Sequence, residues 1–145
     1  MLYFDTSFLV PLILREATSI KVAAFVRTLA TEDLAVSHWT RVEFSSLLAR
    51  EIRMGGLVSQ AASQADARFE AMIASSFAVF LPGADDYTLA KQFLRRFETG
   101  LRAGDALHLA IASGRGAETI YSLDKALIKA GIALGLPMSD GIGAA

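Results

Sequence analysis

The chain has 145 residues, with 14 Lys and Arg against 15 Asp and Glu, and it contains no Cys. This length allows one domain around a single core, and the balanced charge excludes a protein that holds polyanions by bulk positive potential. Without Cys there is no disulfide, thiol nucleophile or thiolate zinc site. Any metal would therefore be held mainly by oxygen atoms, which favours Mg²⁺ or Mn²⁺.

The hydropathy pattern predicts no association with a membrane. The chain is 53% hydrophobic, but its longest charge-free stretch, residues 71–84, is too short to cross a bilayer and is interrupted by Ser and Pro. The first five residues carry no basic region ahead of the apolar ones. A cytoplasmic location is therefore expected.

Short apolar runs alternate along the chain with longer segments of helical spacing. Strands are predicted at residues 2–4, 34–37, 77–81 and 119–122, with a short edge strand at 136–139. Helices are predicted at residues 19–30, 40–54, 59–75, 85–97, 105–113 and 125–130. This alternation predicts an α/β fold with a central parallel sheet of four or five strands flanked by helices. One domain over residues 1–140 is expected, followed by a frayed tail at 141–145.

Four acidic residues are candidates for one site. Asp5 and Asp124 each follow a predicted strand, at the carboxyl edge where open α/β sheets bind ligands. Glu43 lies in the first turn of a predicted helix, and Asp105 opens another. Ionised carboxylates close together in apolar surroundings repel each other, and they are tolerated mainly when a cation lies between them. The pattern therefore indicates a Mg²⁺ or Mn²⁺ site.

Each of these acids also has a purely structural explanation as a helix cap. Asp5, Asp105 and Asp124 all precede residues that can begin a helix, and Thr40 with Glu43 three residues later fits the capping-box pattern. Taken singly, each acid can therefore be a cap and nothing more. Only their joint order and surroundings favour a site.

The other candidate residues are assigned mainly structural roles. His108, three positions after Asp105, is expected to pack near the site without being a ligand, and Trp39 to fill the junction between sheet and helices. Thr6 is expected either to donate a hydrogen bond to Asp5 or to be an ordinary first-turn residue. A solvated helical face is favoured over phosphate contacts for five basic residues: Arg41, Arg50, Arg53, Arg102 and Lys125.

Four segments of the chain resemble the motifs of a known family. They are Leu2-Tyr3-Phe4-Asp5-Thr6-Ser7, Thr40-Arg41-Val42-Glu43, Leu101-Arg102-Ala103-Gly104-Asp105-Ala106-Leu107-His108 and Thr119-Ile120-Tyr121-Ser122-Leu123-Asp124-Lys125. In this order and at this length, the chain resembles PIN-domain ribonucleases, and within them the VapC-type toxins of toxin–antitoxin pairs. The resemblance covers nearly the whole chain and implies a PIN-like, three-layer fold. A further acid that the family often carries near its last motif is replaced here by Ala126.

The resemblance implies an endoribonuclease that cleaves RNA with Mg²⁺ or Mn²⁺. The family's acidic quartet corresponds to four expected catalytic residues, Asp5, Glu43, Asp105 and Asp124. Asp5 and Asp105 are expected to hold the principal metal, with Asp124 binding it directly or through water. Glu43 is expected to position or activate a water. A cognate antitoxin protein and a second copy of the chain are the expected partners, besides the RNA substrate.

Two other classes of protein remain open on the sequence. A receiver-like domain also binds Mg²⁺ at the carboxyl edge of a parallel sheet, but it needs an acidic pair after the first strand, where this chain has the single Asp5. A noncatalytic α/β binding module would need no acid at any of the four positions. RNA cleavage that requires a metal discriminates the nuclease from both.

Overall fold

The sheet contains five parallel strands in the order β3-β2-β1-β4-β5 within residues 1–143, which are the residues that the computed structural model describes. The strands are β1 (Leu2–Phe4), β2 (Leu34–Ser37), β3 (Ala78–Phe80), β4 (Thr119–Tyr121) and β5 (Met138–Ser139). Val36 and Ile120, in the interior of the sheet, are fully buried. Burial on both faces explains why these strands appear in the sequence as short apolar runs without alternation.

Seven α-helices cover the sheet within the same residues. They are α1 (Thr6–Ile13), α2 (Ser19–Val26), α3 (His38–Arg53), α4 (Ser59–Ser76), α5 (Ala84–Leu94), α6 (Ala103–Gly114) and α7 (Lys125–Ala133). Two short 3₁₀ segments, Thr31–Asp33 and Phe97–Thr99, precede β2 and α6. None of the helices described for residues 1–143 has both the length and the apolar character needed to cross a bilayer.

Two apolar clusters on opposite faces of the sheet form the core. Successive residues of β1 point to opposite sides, so that Phe4 joins the cluster built with α1 to α4, and Tyr3 joins the cluster built with α6 and α7. Small residues of α5 and α6, among them Ala90, Ala106 and Ala110, pack these two helices together. The predicted three-layer α/β architecture is thus confirmed.

The strand order excludes the receiver-like alternative. Receiver domains have the flavodoxin-like order 2-1-3-4-5. Here β1 is the central strand, with β2 and β3 on one side and β4 and β5 on the other.

Two differences from the sequence prediction lie near the ends of the chain. Helix α1 was not predicted, and it includes Pro11 while burying Phe8, Leu9 and Val10. At the other end of the chain, the frayed tail predicted from residue 141 onward is packed in its first part, because Ile142 lies against the core cluster of α1 to α4. Residues 144 and 145, the rest of that tail, lie outside the described residues.

An ion pair away from the four candidate acids ties α5, α6 and β3 together. The Arg115 guanidinium donates to both carboxylate oxygens of Asp86, at 2.7 and 3.1 Å, and also to the carbonyl oxygen of Leu81 at 3.0 Å. The Gly83 N–H donates to Asp86 as well, at 2.8 Å. Asp86 is buried, so these hydrogen bonds replace its lost hydration.

We expect Asp86→Asn to lower the free energy of unfolding by about 1.5–3 kcal/mol, the usual contribution of hydrogen bonds to a charged group. The asparagine amide would place N–H donors against the Arg115 guanidinium. Urea unfolding followed by circular dichroism measures the change, and an unfolding midpoint equal to that of the wild type would contradict it.

Candidate functional site

The candidate site lies where the order of strands reverses. The chain builds β1, β2 and β3 outward in one direction and then returns to place β4 on the other side of β1. The carboxyl ends of β1 and β4 therefore flank the switch point at which open α/β sheets bind ligands. Asp5 follows β1, and Asp124 lies three residues after the end of β4. A hydrogen bond of 3.1 Å from the Asp5 N–H to the Tyr121 carbonyl oxygen joins the two strand ends.

Asp5 is a buried carboxylate, only 4% exposed, whose oxygens accept three kinds of hydrogen bond. The Phe8 N–H donates at 3.2 Å, which makes Asp5 the N-cap of α1. The Ser7 hydroxyl donates at 2.8 Å, and the Ser122 hydroxyl donates at 3.0 Å. Burial raises the pKa of Asp5 to about 6, although His108 and these donors oppose the shift. The hydrogen bonds and the charge of His108 therefore do not fully offset the cost of burying the ionised Asp5 carboxylate.

Serine hydroxyls, and not Thr6, support Asp5. Ser122 also accepts a hydrogen bond of 3.0 Å from the Asp124 N–H, so that it bridges the two acids at the switch point. The Thr6 hydroxyl, which was a candidate donor to Asp5, instead donates to Glu43 at 2.6 Å. Thr6 begins α1 and faces α3, whereas Ser7, one residue later, faces β4 and accepts from the Leu123 N–H.

Glu43 lies in the second turn of α3, not in the first turn as predicted. The helix begins at His38, because Ser37 and Thr40 form a reciprocal capping box three residues earlier than the predicted one. This leaves the Glu43 carboxylate free of a capping role. Burial acts to raise the pKa of Glu43, but hydrogen bonds from His108 and Thr6 and the charge of His108 outweigh it and lower the pKa. Glu43 is therefore ionised at neutral pH.

His108 is a fully buried cation at the centre of the site. Its Nε2 donates to the Glu43 carboxylate, and its Nδ1 lies 2.8 Å from the Tyr3 hydroxyl. The Tyr3 hydroxyl donates to Ser37 and can accept from Nδ1, so both contacts of the ring are satisfied when it carries both protons. Burial alone would lower the pKa of His108, but Tyr3, Glu43 and Asp5 outweigh that effect and raise it to about 10.

Asp105 and Asp124 line one open pocket of about 390 Å³. Asp124 is the N-cap of α7 and accepts from the Ala126 and Leu127 N–H groups through Oδ1. Helix α6 begins two residues before Asp105, so Asp105 lies in its first turn and is not its cap. Burial raises the pKa of Asp105, and the nearby charges of Asp124 and Glu43 raise it further. These two acids and Glu43 therefore share one region of negative potential.

Oxygen donors for a hard cation are present at this pocket, but they do not form a complete cage. Among residues 1–143, no three His, Asp or Glu side chains are grouped closely enough to enclose a metal. Mg²⁺ keeps several of its waters and is usually bound through one or two carboxylates together with substrate phosphates. Asp105 and the second oxygen of Asp124 meet that requirement, so the donor chemistry fits such an ion.

The four predicted acids thus fall into two pairs connected by electrostatic interactions. Asp105 and Asp124 share the pocket, while Asp5 and Glu43 both interact with the His108 cation. Asp5 does not line the pocket, although Ser122 connects it to the backbone of Asp124.

Three residues that the sequence prediction left outside the site contact its acids directly, namely Ser7, Ser122 and His108. The only available signal was spacing, because both serines lie two residues from an acid and His108 lies one helical turn after Asp105.

A close approach of α3 to the start of α6 borders the site. The Trp39 Nε1–H donates to the Gly104 carbonyl oxygen at 3.1 Å. A Cβ atom added to Gly104 would lie 3.0 Å from Glu43 Oε2 and 3.2 Å from the Trp39 ring. The absence of a side chain at Gly104 therefore allows the Trp39 ring and the Glu43 carboxylate to pack closely against the start of α6.

The chain belongs to the PIN domain family, whose model matches residues 2–133. The match runs from the first residue of β1 to the last residue of α7 and includes all four predicted acids. Comparison with curated protein sequences gives no match.

Several solved structures share this fold over almost their whole length. FitAcB from Neisseria gonorrhoeae is 18% identical, with a TM-score of 0.78, and the alignment covers 97% of this chain and 98% of that one. VapC20 of Mycobacterium tuberculosis, described as a sarcin-ricin loop cleaving toxin, is 22% identical, with a TM-score of 0.70 and coverage of 94% and 96%. VapBC-1 from nontypeable Haemophilus influenzae is 16% identical, with a TM-score of 0.72 and coverage of 99% and 100%. At these identities the likeness establishes the fold.

Proposed function

We propose that this PIN domain is a divalent-metal-dependent endoribonuclease and the toxin of a VapBC-type toxin–antitoxin pair. The observation that carries the proposal is the pocket at the switch point, which Asp105 and Asp124 line together. The description of one structural neighbour as a sarcin-ricin loop cleaving toxin supports the choice of RNA as substrate.

Asp105 and Asp124 are proposed to hold Mg²⁺ or Mn²⁺ from the pocket. Asp5, which Ser122 connects to the backbone of Asp124, is proposed as a third carboxylate that moves toward the ion when it binds. The raised pKa values of Asp5 and Asp105 support this assignment. Burial makes both ionised forms unfavourable without a further positive charge, and the carboxylates of Asp124 and Glu43 add to this effect at Asp105. A bound divalent cation would supply that charge, stabilise the scissile phosphate and lower the pKa of a coordinated water.

Glu43 is proposed to orient the attacking water. Thr6 and His108 both hold its Oε1, which fixes the carboxylate and leaves Oε2 directed toward Gly104 at the start of α6. The lowered pKa makes Glu43 a weak base but a steady hydrogen-bond acceptor at neutral pH. Its contribution is therefore the position of the water more than removal of a proton.

Cleavage of mixed cellular RNA by the purified chain tests the proposal. We expect fragments with Mg²⁺ or Mn²⁺ and none with chelator, and mapping of the fragment ends would show whether one sequence or loop is preferred. Intact RNA under all metal conditions would reject the nuclease and favour the noncatalytic binding module.

An antitoxin partner is proposed because a cytoplasmic ribonuclease without an inhibitor would damage its own cell. Neighbours named as VapBC pairs support this choice. Expression of the chain alone should arrest growth, and co-expression of a small neighbouring gene should restore it, with the two products purifying together. Harmless expression without any such partner would reject the toxin assignment while leaving the nuclease assignment open to the cleavage assay.

A homodimer is the proposed assembly, with residues 40–75 of α3 and α4 as a candidate surface. Small and apolar side chains recur along these helices, and Val42 on α3 is 56% exposed. Light scattering at micromolar concentration should give twice the chain mass, and a monomer would contradict this.

A further inference from the structure

An apolar groove of about 420 Å³ lies between α5, the start of α6 and the beginning of α3. Its lining includes Trp39, Tyr87, Lys91, Leu94, Gly104 and Leu107. The groove is distinct from the pocket lined by Asp105 and Asp124, with which it shares no lining residue.

Two aromatic side chains line this groove, one fixed by a hydrogen bond and the other exposed to solvent. Trp39 is half-buried, and its hydrogen bond to Gly104 holds the indole ring in place. Tyr87 is 55% exposed on α5, and its hydroxyl group makes no hydrogen bond within residues 1–143. Lys91 and Leu94 follow Tyr87 at helical spacing, so one face of α5 presents a ring, a cation and an aliphatic side chain.

The groove is continuous with the acidic site through Gly104. The Trp39 ring and Glu43 Oε2 both lie about 3 Å from the position that a Cβ atom on Gly104 would occupy, and Asp105 follows Gly104 directly in the chain. A molecule lying against Trp39 would therefore border the groups proposed to act on the scissile phosphate.

Planar aromatic faces, an adjacent cation and little else that is polar match the chemistry of a nucleobase in a single strand. Bases stack on exposed aromatic rings regardless of their sequence, and a nearby ammonium group binds the backbone phosphate. A protein helix would also cover apolar surface, but it would gain nothing from a ring aligned beside the catalytic carboxylates.

We propose that the groove of Trp39 and Tyr87 binds an unpaired nucleobase of the RNA, next to the scissile phosphate. This inference rests on the proposed ribonuclease function and names a contact that selects single-stranded or looped RNA over duplex. Lys91 then pairs with a phosphate of the same strand.

The chain contains a single Trp, so the emission of Trp39 reports directly on the groove. We would titrate the Asp105→Asn variant in chelator with a fluorescein-labelled single-stranded oligoribonucleotide, following anisotropy for binding and Trp39 emission for stacking. Binding should quench Trp39, whereas inorganic phosphate should not. Tyr87→Ala should weaken binding about tenfold, as expected for loss of one stacked base. Tyr87→Phe, which keeps the ring, should stay within about twofold of the parent.

Ile20→Ala, which removes an exposed apolar side chain on α2 outside the groove, is the matched control and should bind like the parent. RNA binding without quenching, absence of RNA binding, or equal affinity in Tyr87→Ala would overturn the proposal. Conversion of a dimer into a monomer by Tyr87→Ala would also overturn it, because the groove would then be an interface between copies. Cleavage by the wild type without quenching refutes the nucleobase site alone, and quenching without cleavage refutes the nuclease alone.

Discussion

Asp105→Asn is expected to lower RNA cleavage by orders of magnitude while leaving the metal-free protein as stable as the wild type or more stable. The carboxylate of Asp105, together with those of Asp124 and Glu43, makes the local electrostatic potential more negative. The same charge on Asp105 is proposed to bind the metal. Metal ions stabilise phosphoryl transition states by several kcal/mol, and each 1.4 kcal/mol is tenfold in rate. We therefore expect kcat/KM to fall by about 10²- to 10⁴-fold.

The stability of this variant should change in the direction opposite to its activity. A raised pKa means that ionised Asp105 opposes folding at neutral pH, so neutral asparagine removes repulsion without breaking a structural contact. Asp86→Asn makes the same chemical change at a buried acid paired with Arg115 and serves as the matched control, with lowered stability and retained cleavage. If the Asp105→Asn protein is folded and cleaves RNA at the wild-type rate, Asp105 is not part of the catalytic site.

The strands of the sheet could be predicted from the sequence because they are short, apolar and bounded by polar residues. The predicted bounds of β1 and β2 match the structure at both ends. Helix α1 could not be recognised, since it is apolar on nearly every side and carries Pro11, so it shows neither the periodicity nor the composition of a surface helix. Burial against the sheet and α2, α3 and α4 stabilises it, and this tertiary contribution is not visible locally.

Only the exact starts of the helices in the structure show which of the four acids are helix caps. Asp5 and Asp124 are N-caps, yet both also lie at the switch point, so the structural and functional explanations hold together for them. Glu43 and Asp105 cap nothing, because α3 starts at His38 and α6 at Ala103. Shifts of two residues in a helix start are common in sequence prediction, and here they decide whether a carboxylate is used as a helix cap.

The role of His108 depends on contacts between residues distant in the chain. Sequence spacing placed it one turn after Asp105, but its partners Tyr3 and Glu43 lie 105 and 65 residues away. Pattern reasoning along one helix favours a packed histidine, which is the more common case. Only the arrangement of β1 beside α3 and α6 shows that the ring is a cation held between acids.

His108→Leu is expected to lower the free energy of unfolding by about 3 kcal/mol, because it removes the positive partner of buried carboxylates while nearly preserving volume. Breaking a buried ion pair costs about 3–5 kcal/mol, and the Glu43 side chain keeps 26% exposure, which places the expectation at the lower end. His38→Leu changes the chain's other histidine, a half-buried residue at the start of α3, and should cost less than about 1 kcal/mol.

A double-mutant cycle separates loss of charge pairing from loss of packing. If the cost of His108→Leu comes from an uncompensated Glu43 carboxylate, then Glu43→Gln should restore part of the stability in the His108→Leu background, with a coupling energy of at least about 1 kcal/mol. Packing loss alone would make the two changes additive, since glutamine occupies the same volume as glutamate. Additive unfolding energies from urea titrations would therefore reject the buried cation, whereas positive coupling would show that the His108 cation and the Glu43 carboxylate stabilise each other in the folded protein.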